Sequence, residues 1–180
     1  MLFIGAFLFI VSLMLDNTVN LFFKGVKFQI LDFVFSLITN FGILVMVMVV
    51  IPSIILYRKD NKATGYIFFA FAASLILAFI IKLIVVRQRP TEAFTYPIIH
   101  IINYSFPSMH AMVAFSLLPL LVAYFKKLKF FLIAFSFLIA FSRIYLGFHF
   151  LSDVVFGMAV GCFVGDYILG LCVKNNERTK

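Results

Sequence analysis

Two histidines, a carboxylate and several cations fall at the borders of long apolar runs in this sequence. His149 and Asp153 are four residues apart, so on a helix they share one face. A carboxylate beside an imidazole holds one tautomer and stabilises the imidazolium, as in serine-protease catalysis. Lys82 and Arg89 are seven apart, about two helical turns. Pro90 then ends the helix or redirects the chain. Pro107 and Ser108 read as a helix start just before His110. The N–H groups and positive dipole of a helix N-terminus suit a phosphate. Ser142 and Arg143 close a further run, and Arg87 stands between Lys82 and Arg89. Singly, each residue has a plainer role: an interfacial anchor for Lys or Arg, a structural histidine, a capping Asp. Together they describe an anion site with a high demand for negative charge.

The elements that must position them belong in a bilayer. The chain has 180 residues, enough for one domain, and is 64% hydrophobic and 12% charged. Its mean hydropathy is +1.15, whereas a soluble globule carries about 25% charged residues. No soluble fold of this size hides so much apolar surface. Apolar runs cover roughly 1–15, 33–57, 64–86, 108–125, 130–146 and 150–173. Residues 16–32, with Lys24, Lys27 and Asp32, read as an amphipathic interfacial segment. The expected fold is all-α: a six-transmembrane-helix bundle with an N-terminal interfacial segment. The apolar start, with no charged n-region, reads as a retained helix rather than a signal peptide.

The net charge of +8 is a topology signal, not a nucleic-acid face. Arg58 to Lys62, Lys126 to Lys129 and the tail from Lys174 cluster between or after the runs. With six spans these share one side, which the positive-inside rule makes cytoplasmic. The C-terminus is then cytoplasmic and the chemically active residues face the periplasm or exterior. Gly157, Gly161 and Gly165 share one helix face and favour close packing within the bundle over a dimer interface. Cys162 and Cys172 have no metal-ligand spacing.

These residues resemble the three-part signature of the type 2 phosphatidic acid phosphatase superfamily. The first part, Lys-x6-Arg-Pro, is present as Lys82 to Arg89-Pro90. The second, Pro-Ser-Gly-His, is present as Pro107-Ser108-Met109-His110, with methionine in place of glycine. The third, Ser-Arg-x5-His-x3-Asp, is present as Ser142-Arg143, His149 and Asp153. The match covers roughly residues 64–173 of a single 1–180 domain. Met109 implies an ordinary backbone there, in the first helical turn.

The resemblance implies that His149 attacks phosphorus to form a phosphohistidine, Asp153 orients it, and His110 protonates the leaving oxygen. Lys82, Arg89 and Arg143 hold phosphoryl oxygens, Ser108 adds a hydroxyl or N–H, and Ser142 adds a phosphate or structural hydrogen bond. It implies no metal and no cofactor. Arg87 and His100 fall outside the signature. Arg87 reads as an accessory headgroup contact or an interfacial anchor, and His100 as part of a 91–106 loop overhanging the site. The expected enzyme is a lipid phosphatase of a bacterial inner membrane with no obligate protein partner. The small bacterial members it resembles point to lipid A 1-phosphate. Undecaprenyl diphosphate and phosphatidylglycerophosphate are the alternative substrates. A lipid phosphotransferase, a vanadate haloperoxidase and a non-catalytic membrane protein are the competing classes. The last has no physical need for His110, His149 and Asp153.

Overall fold

The computed structural model describes residues 2–91 and 103–177, and these are helical with no strand. The helices are α1 (Leu2–Gly25), α2 (Gln29–Ile38), α3 (Phe41–Val45), α4 (Ile51–Tyr57), α5 (Asn61–Val85), α6 (Met109–Tyr124), α7 (Lys129–Tyr145) and α8 (Leu151–Glu177). A π-helical turn, Met46–Val50, joins α3 to α4. Pro52 explains it: proline offers no N–H to the carbonyl one turn earlier and its ring crowds that carbonyl.

Phe3–Gly25, Asn61–Val85, Lys126–Tyr145 and Leu151–Asn175 are long and apolar enough to cross a bilayer, and α2 with Phe41–Tyr57, bent by 46°, gives up to five spans. The 16 residues of α6 rise about 24 Å at 1.5 Å per residue, less than a ~30 Å hydrocarbon core. Length and composition therefore support four or five spans, and do not establish the six expected. Phe3 (93% exposed), Phe130 (83%) and Ile30 (80%) typify an apolar outer surface that only lipid can cover. The protein is an integral membrane protein.

The segment 16–32 is not a single interfacial element. Residues 16–25 continue α1, the chain extends at Phe28, and α2 begins at Gln29. The polar residues at 16, 17 and 20 do not stop α1, because its backbone bonds are internal to the helix and Asp16 finds partners on α8. Phe28 N donates to the Tyr145 hydroxyl at 3.2 Å, which holds the break against the end of α7.

Helix α6 is the central element. Every residue from Ala111 to Leu117 is buried, as befits a helix apolar all round. Helix α8 lies against it through its glycines. A Cβ on Gly157 would stand 2.8 Å from Ser108 O, one on Gly161 2.5 Å from Met112 O, and one on Gly165 would meet Ser116 O. The glycine stripe is an intramolecular seam, and it brings the start of α8 onto the start of α6. At the far end, Tyr124 Oη donates to Asp60 Oδ2 at 3.1 Å and lies 3.2 Å from Cys172 Sγ. Asn175 reaches the Tyr66 hydroxyl at 2.5 Å. These contacts gather the three basic clusters at one end of the bundle.

Candidate active site

The opposite end holds the polar residues. Lys82 lies in the last turn of α5 and is 1% exposed, with its Nζ 2.5 Å from the Tyr104 carbonyl. Val86 then caps the helix in the left-handed region (φ 50°, ψ 38°). A β-branched residue there is strained by roughly 1–3 kcal/mol. The turn sends the chain back so that Arg87 and Arg89 reach the same end of the bundle as Lys82. Arg89 Nε donates to Asn103 O at 3.0 Å and its Nη1 to Phe148 O at 3.2 Å. Ser105 secures this corner, its N–H bonding Arg87 O at 2.7 Å and its hydroxyl Gln88 O at 3.0 Å.

Ser108 is the N-cap of α6 and its hydroxyl caps nothing. That Oγ is buried and has no hydrogen-bond partner among the described residues. Met109 is the first residue of α6 and has no positive φ, so methionine sits on ordinary backbone as expected. His110, one position on, bonds the Thr39 backbone and meets the Phe41 ring edge-on at 5.1 Å.

From α7 come Ser142 and Arg143. The Ser142 hydroxyl donates to Ile139 O of its own helix at 2.7 Å. Arg143 Nη1 donates to Thr39 Oγ1 at 2.7 Å, and its guanidinium lies 4.4 Å above the Phe148 ring. The α7–α8 junction turns at Gly147, whose φ of +75° suits only glycine and where a Cβ would press on Thr91 at 3.0 Å. The N–H groups of Phe148 and His149 both bond Arg143 O. His149 is 3% exposed, with Nδ1 3.5 Å from Asp153 Oδ2. Burial, then the charges of Arg143, Arg89 and Lys82, pushes its pKa well below the usual 6.5. Burial and these cations all oppose protonation of the ring. Asp153 is fully buried. Its Oδ2 accepts from Phe150 N at 2.9 Å, half of a capping box, and its Oδ1 accepts from Arg87 Nη1 at 2.8 Å.

The structure thus brings Lys82, Arg87, Arg89, Ser108, His110, Ser142, Arg143, His149 and Asp153 to one end of the bundle. Ser142 is turned onto its own helix, and Arg87 faces Asp153 rather than the lipid. His100 lies outside the described residues. Sequence reasoning missed Asp16, Thr39, Ser105 and Ser152. For Asp16 a signal existed: a lone carboxylate inside an apolar helix. The other three are hydroxyl residues with nothing to mark them.

Buried cations, a hydroxyl unpartnered among the described residues at a helix N-terminus and a histidine beside a carboxylate, all at one end of an apolar bundle, make a membrane-embedded anion site suited to a phosphoryl group. The PAP2 superfamily model matches residues 63–177. The chain belongs to the PAP2 superfamily and is a membrane phosphatase. It is 29% identical over 166 residues to a lipid A 4'-phosphatase of Bacteroides thetaiotaomicron, covering 84% of this chain and 74% of the relative. It is 31% identical over 153 residues to phosphatidylglycerophosphatase B of Bacillus subtilis, covering 76% and 73%. In fold it is similar to a transmembrane PAP2-type phosphatidylglycerolphosphate phosphatase from Bacillus subtilis, with TM-score 0.75, 24% identity and coverage of 94% and 96%. The Aquifex aeolicus LpxE structure gives TM-score 0.71, 23% identity and coverage of 87% and 95%.

Proposed function

We propose that the protein hydrolyses a lipid phosphate at the extracytoplasmic face of a bacterial inner membrane, through a phosphohistidine on His149. The observation that carries this reading is the convergence of Lys82, Arg89, Arg143 and His110 with His149 at one end of α6, with Asp153 behind the nucleophile. Asp153 lies 3.5 Å from Nδ1, and we take Nε2 as the nitrogen that attacks, released from the ring's hydrogen bond to the Ser105 backbone. As the N–P bond forms and the P–O bond to the lipid breaks, His110 donates a proton to the leaving oxygen. Water then attacks the phosphohistidine, His110 accepts its proton, and inorganic phosphate leaves. Lys82, Arg89 and Arg143 compensate the charge on the phosphoryl oxygens, and Ser108 donates its unpartnered hydroxyl. Six crossings, with the short α6 enclosed by its neighbours, put the site opposite the basic clusters.

The names of the two sequence relatives cover a lipid A phosphate and a phosphatidylglycerophosphate. We take an anionic lipid phosphate monoester as the substrate class, with lipid A phosphate the first to test. Purified protein should release phosphate from a panel of lipid A 1-phosphate, lipid A 4'-phosphate, phosphatidylglycerophosphate and undecaprenyl diphosphate. His149→Ala, still folded, should lose turnover by a factor of about a thousand or more. Full activity in that variant would end the mechanism. A panel with no released phosphate would end the substrate assignment.

A further inference from the structure

Arg87 is the hub of a buried polar cluster that links α1 to the nucleophile. Its Nη2 reaches Asp16 Oδ2 at 2.7 Å, while its Nη1 donates to Asp153 Oδ1 at 2.8 Å and Ser152 Oγ at 2.7 Å. Asp16 in turn accepts from Ser152 N at 2.8 Å and from Ser152 Oγ at 2.5 Å. Asp16 is 4% exposed, in a helix that also meets the bundle through Gly5, Phe9 and Phe23. A buried carboxylate in an apolar membrane helix is costly to keep. A tether for α1 would need only the Ser152 backbone.

The division of labour on Asp153 shows what the cluster does. One carboxylate oxygen faces Arg87, and the other faces Phe150 N and His149 Nδ1. Arg87 therefore shares with Phe150 N and the Ser105 hydroxyl in setting the rotation of the Asp153 carboxylate, and with it the 3.5 Å gap to His149. Asp16 fixes Arg87 from the opposite side, and the Phe150 ring holds it from a third, 4.0 Å from the guanidinium carbon. Asp16 also offsets the charge of Arg87. Without it, Asp153 would be the one carboxylate left beside the guanidinium among the described residues, which weakens its support of the imidazole.

We propose that Asp16 is a positioning residue for the nucleophile: through Arg87 it sets Asp153 against His149, which makes α1 part of the working site. This rests on His149 as the nucleophile. The test uses the full chain in detergent, with lipid A 1-phosphate as substrate and thermal melting in parallel. Asp16→Asn should lower kcat about 10- to 100-fold, the usual effect of a partner that orients a reacting group. KM should stay within about twofold, because no substrate contact is lost. Asp16→Glu should recover part of kcat. Combining Asp16→Asn with Arg87→Gln should cost no more than Arg87→Gln alone.

Wild-type kcat in Asp16→Asn beside an inactive His149→Ala would overturn the proposal and leave the phosphatase mechanism standing. An active His149→Ala would remove both. A rise in KM alone, or a loss of kcat matched by a loss of folded protein, would make Asp16 a binding or structural residue and also overturn it. Should Asp16→Asn not fold, Arg87→Lys decides, since a lysine cannot bridge acceptors on two sides. A folded Arg87→Lys with reduced kcat and unchanged KM supports the proposal, and one with wild-type kcat refutes it.

Discussion

The proposed role of His149 needs a neutral ring, and the surrounding cations and the loss of water both push its pKa down. Nitrogen-detected NMR of the imidazole should show it still neutral at pH 6, and a midpoint at or above 6.5 would contradict the geometry. The same burial has a thermodynamic consequence. Below about 6.5 the unfolded chain takes up a proton that the folded ring refuses, so acidification through that range should lower stability. Ser108 permits a sharper test. Its hydroxyl is buried and unpartnered among the described residues, so Ser108→Ala costs the resting protein no hydrogen bond. Melting temperature should hold or rise slightly while KM for a lipid phosphate increases several-fold, by about 1 kcal/mol. A fall in melting temperature with unchanged KM would mean the hydroxyl serves the fold. At this scale the cations and both histidines were legible in the sequence, because charge at the end of an apolar run needs a reason. Asp16 was legible only as a carboxylate at the end of an apolar run, because its partners Arg87 and Ser152 are far along the chain. The orientation of the Ser142 hydroxyl was equally hidden, since either use of it leaves the same sequence.

Between elements, the seam of α6 and α8 does most to assemble the site. Ser108 N donates to Asp153 O of α8 at 3.1 Å, and the glycine stripe below keeps the helices at that separation. Gly161→Val would place a branched side chain against Met112 O, where even a Cβ stands at 2.5 Å. The variant should lose about 1–3 kcal/mol or more, with activity falling in parallel because Asp153 and Ser108 separate. A melting temperature within error of wild type would show that the seam can open without loss. Val86 gives the opposite expectation. It is 48% exposed and left-handed, so Val86→Asn keeps the turn at lower strain and should stabilise by about 1 kcal/mol. The stripe was readable from its four-residue spacing, and the end of α5 from the proline and arginines beyond it. The course of α1 was not. Hydropathy falls at Asp16, Asn17 and Asn20, yet the backbone stays helical to Gly25 because a distant serine and arginine satisfy the carboxylate.

For the whole molecule the decisive question is which face of the membrane the site occupies. Tyr124, Asp60, Cys172, Asn175 and Tyr66 tie the basic clusters to one end, and Lys82, His149 and Asp153 lie at the other. Lysines and arginines in short connections remain on the cytoplasmic side, and the proposal of an extracytoplasmic site rests on that rule. Single cysteines in a background lacking Cys162 and Cys172 test this directly. Lys59→Cys and Lys127→Cys should react with an impermeant maleimide only after the inner membrane is opened. Gly25→Cys, at the end of α1 beside Lys27 and its bond to Tyr145 O, should react in intact spheroplasts. An odd number of crossings between residues 25 and 59 requires opposite behaviour of these two positions. Labelling of Gly25→Cys only after opening, with Lys59→Cys labelled from outside, would invert the protein and turn the site toward the cytoplasm. The same side for both would mean that α2 and the bent helix after it do not cross.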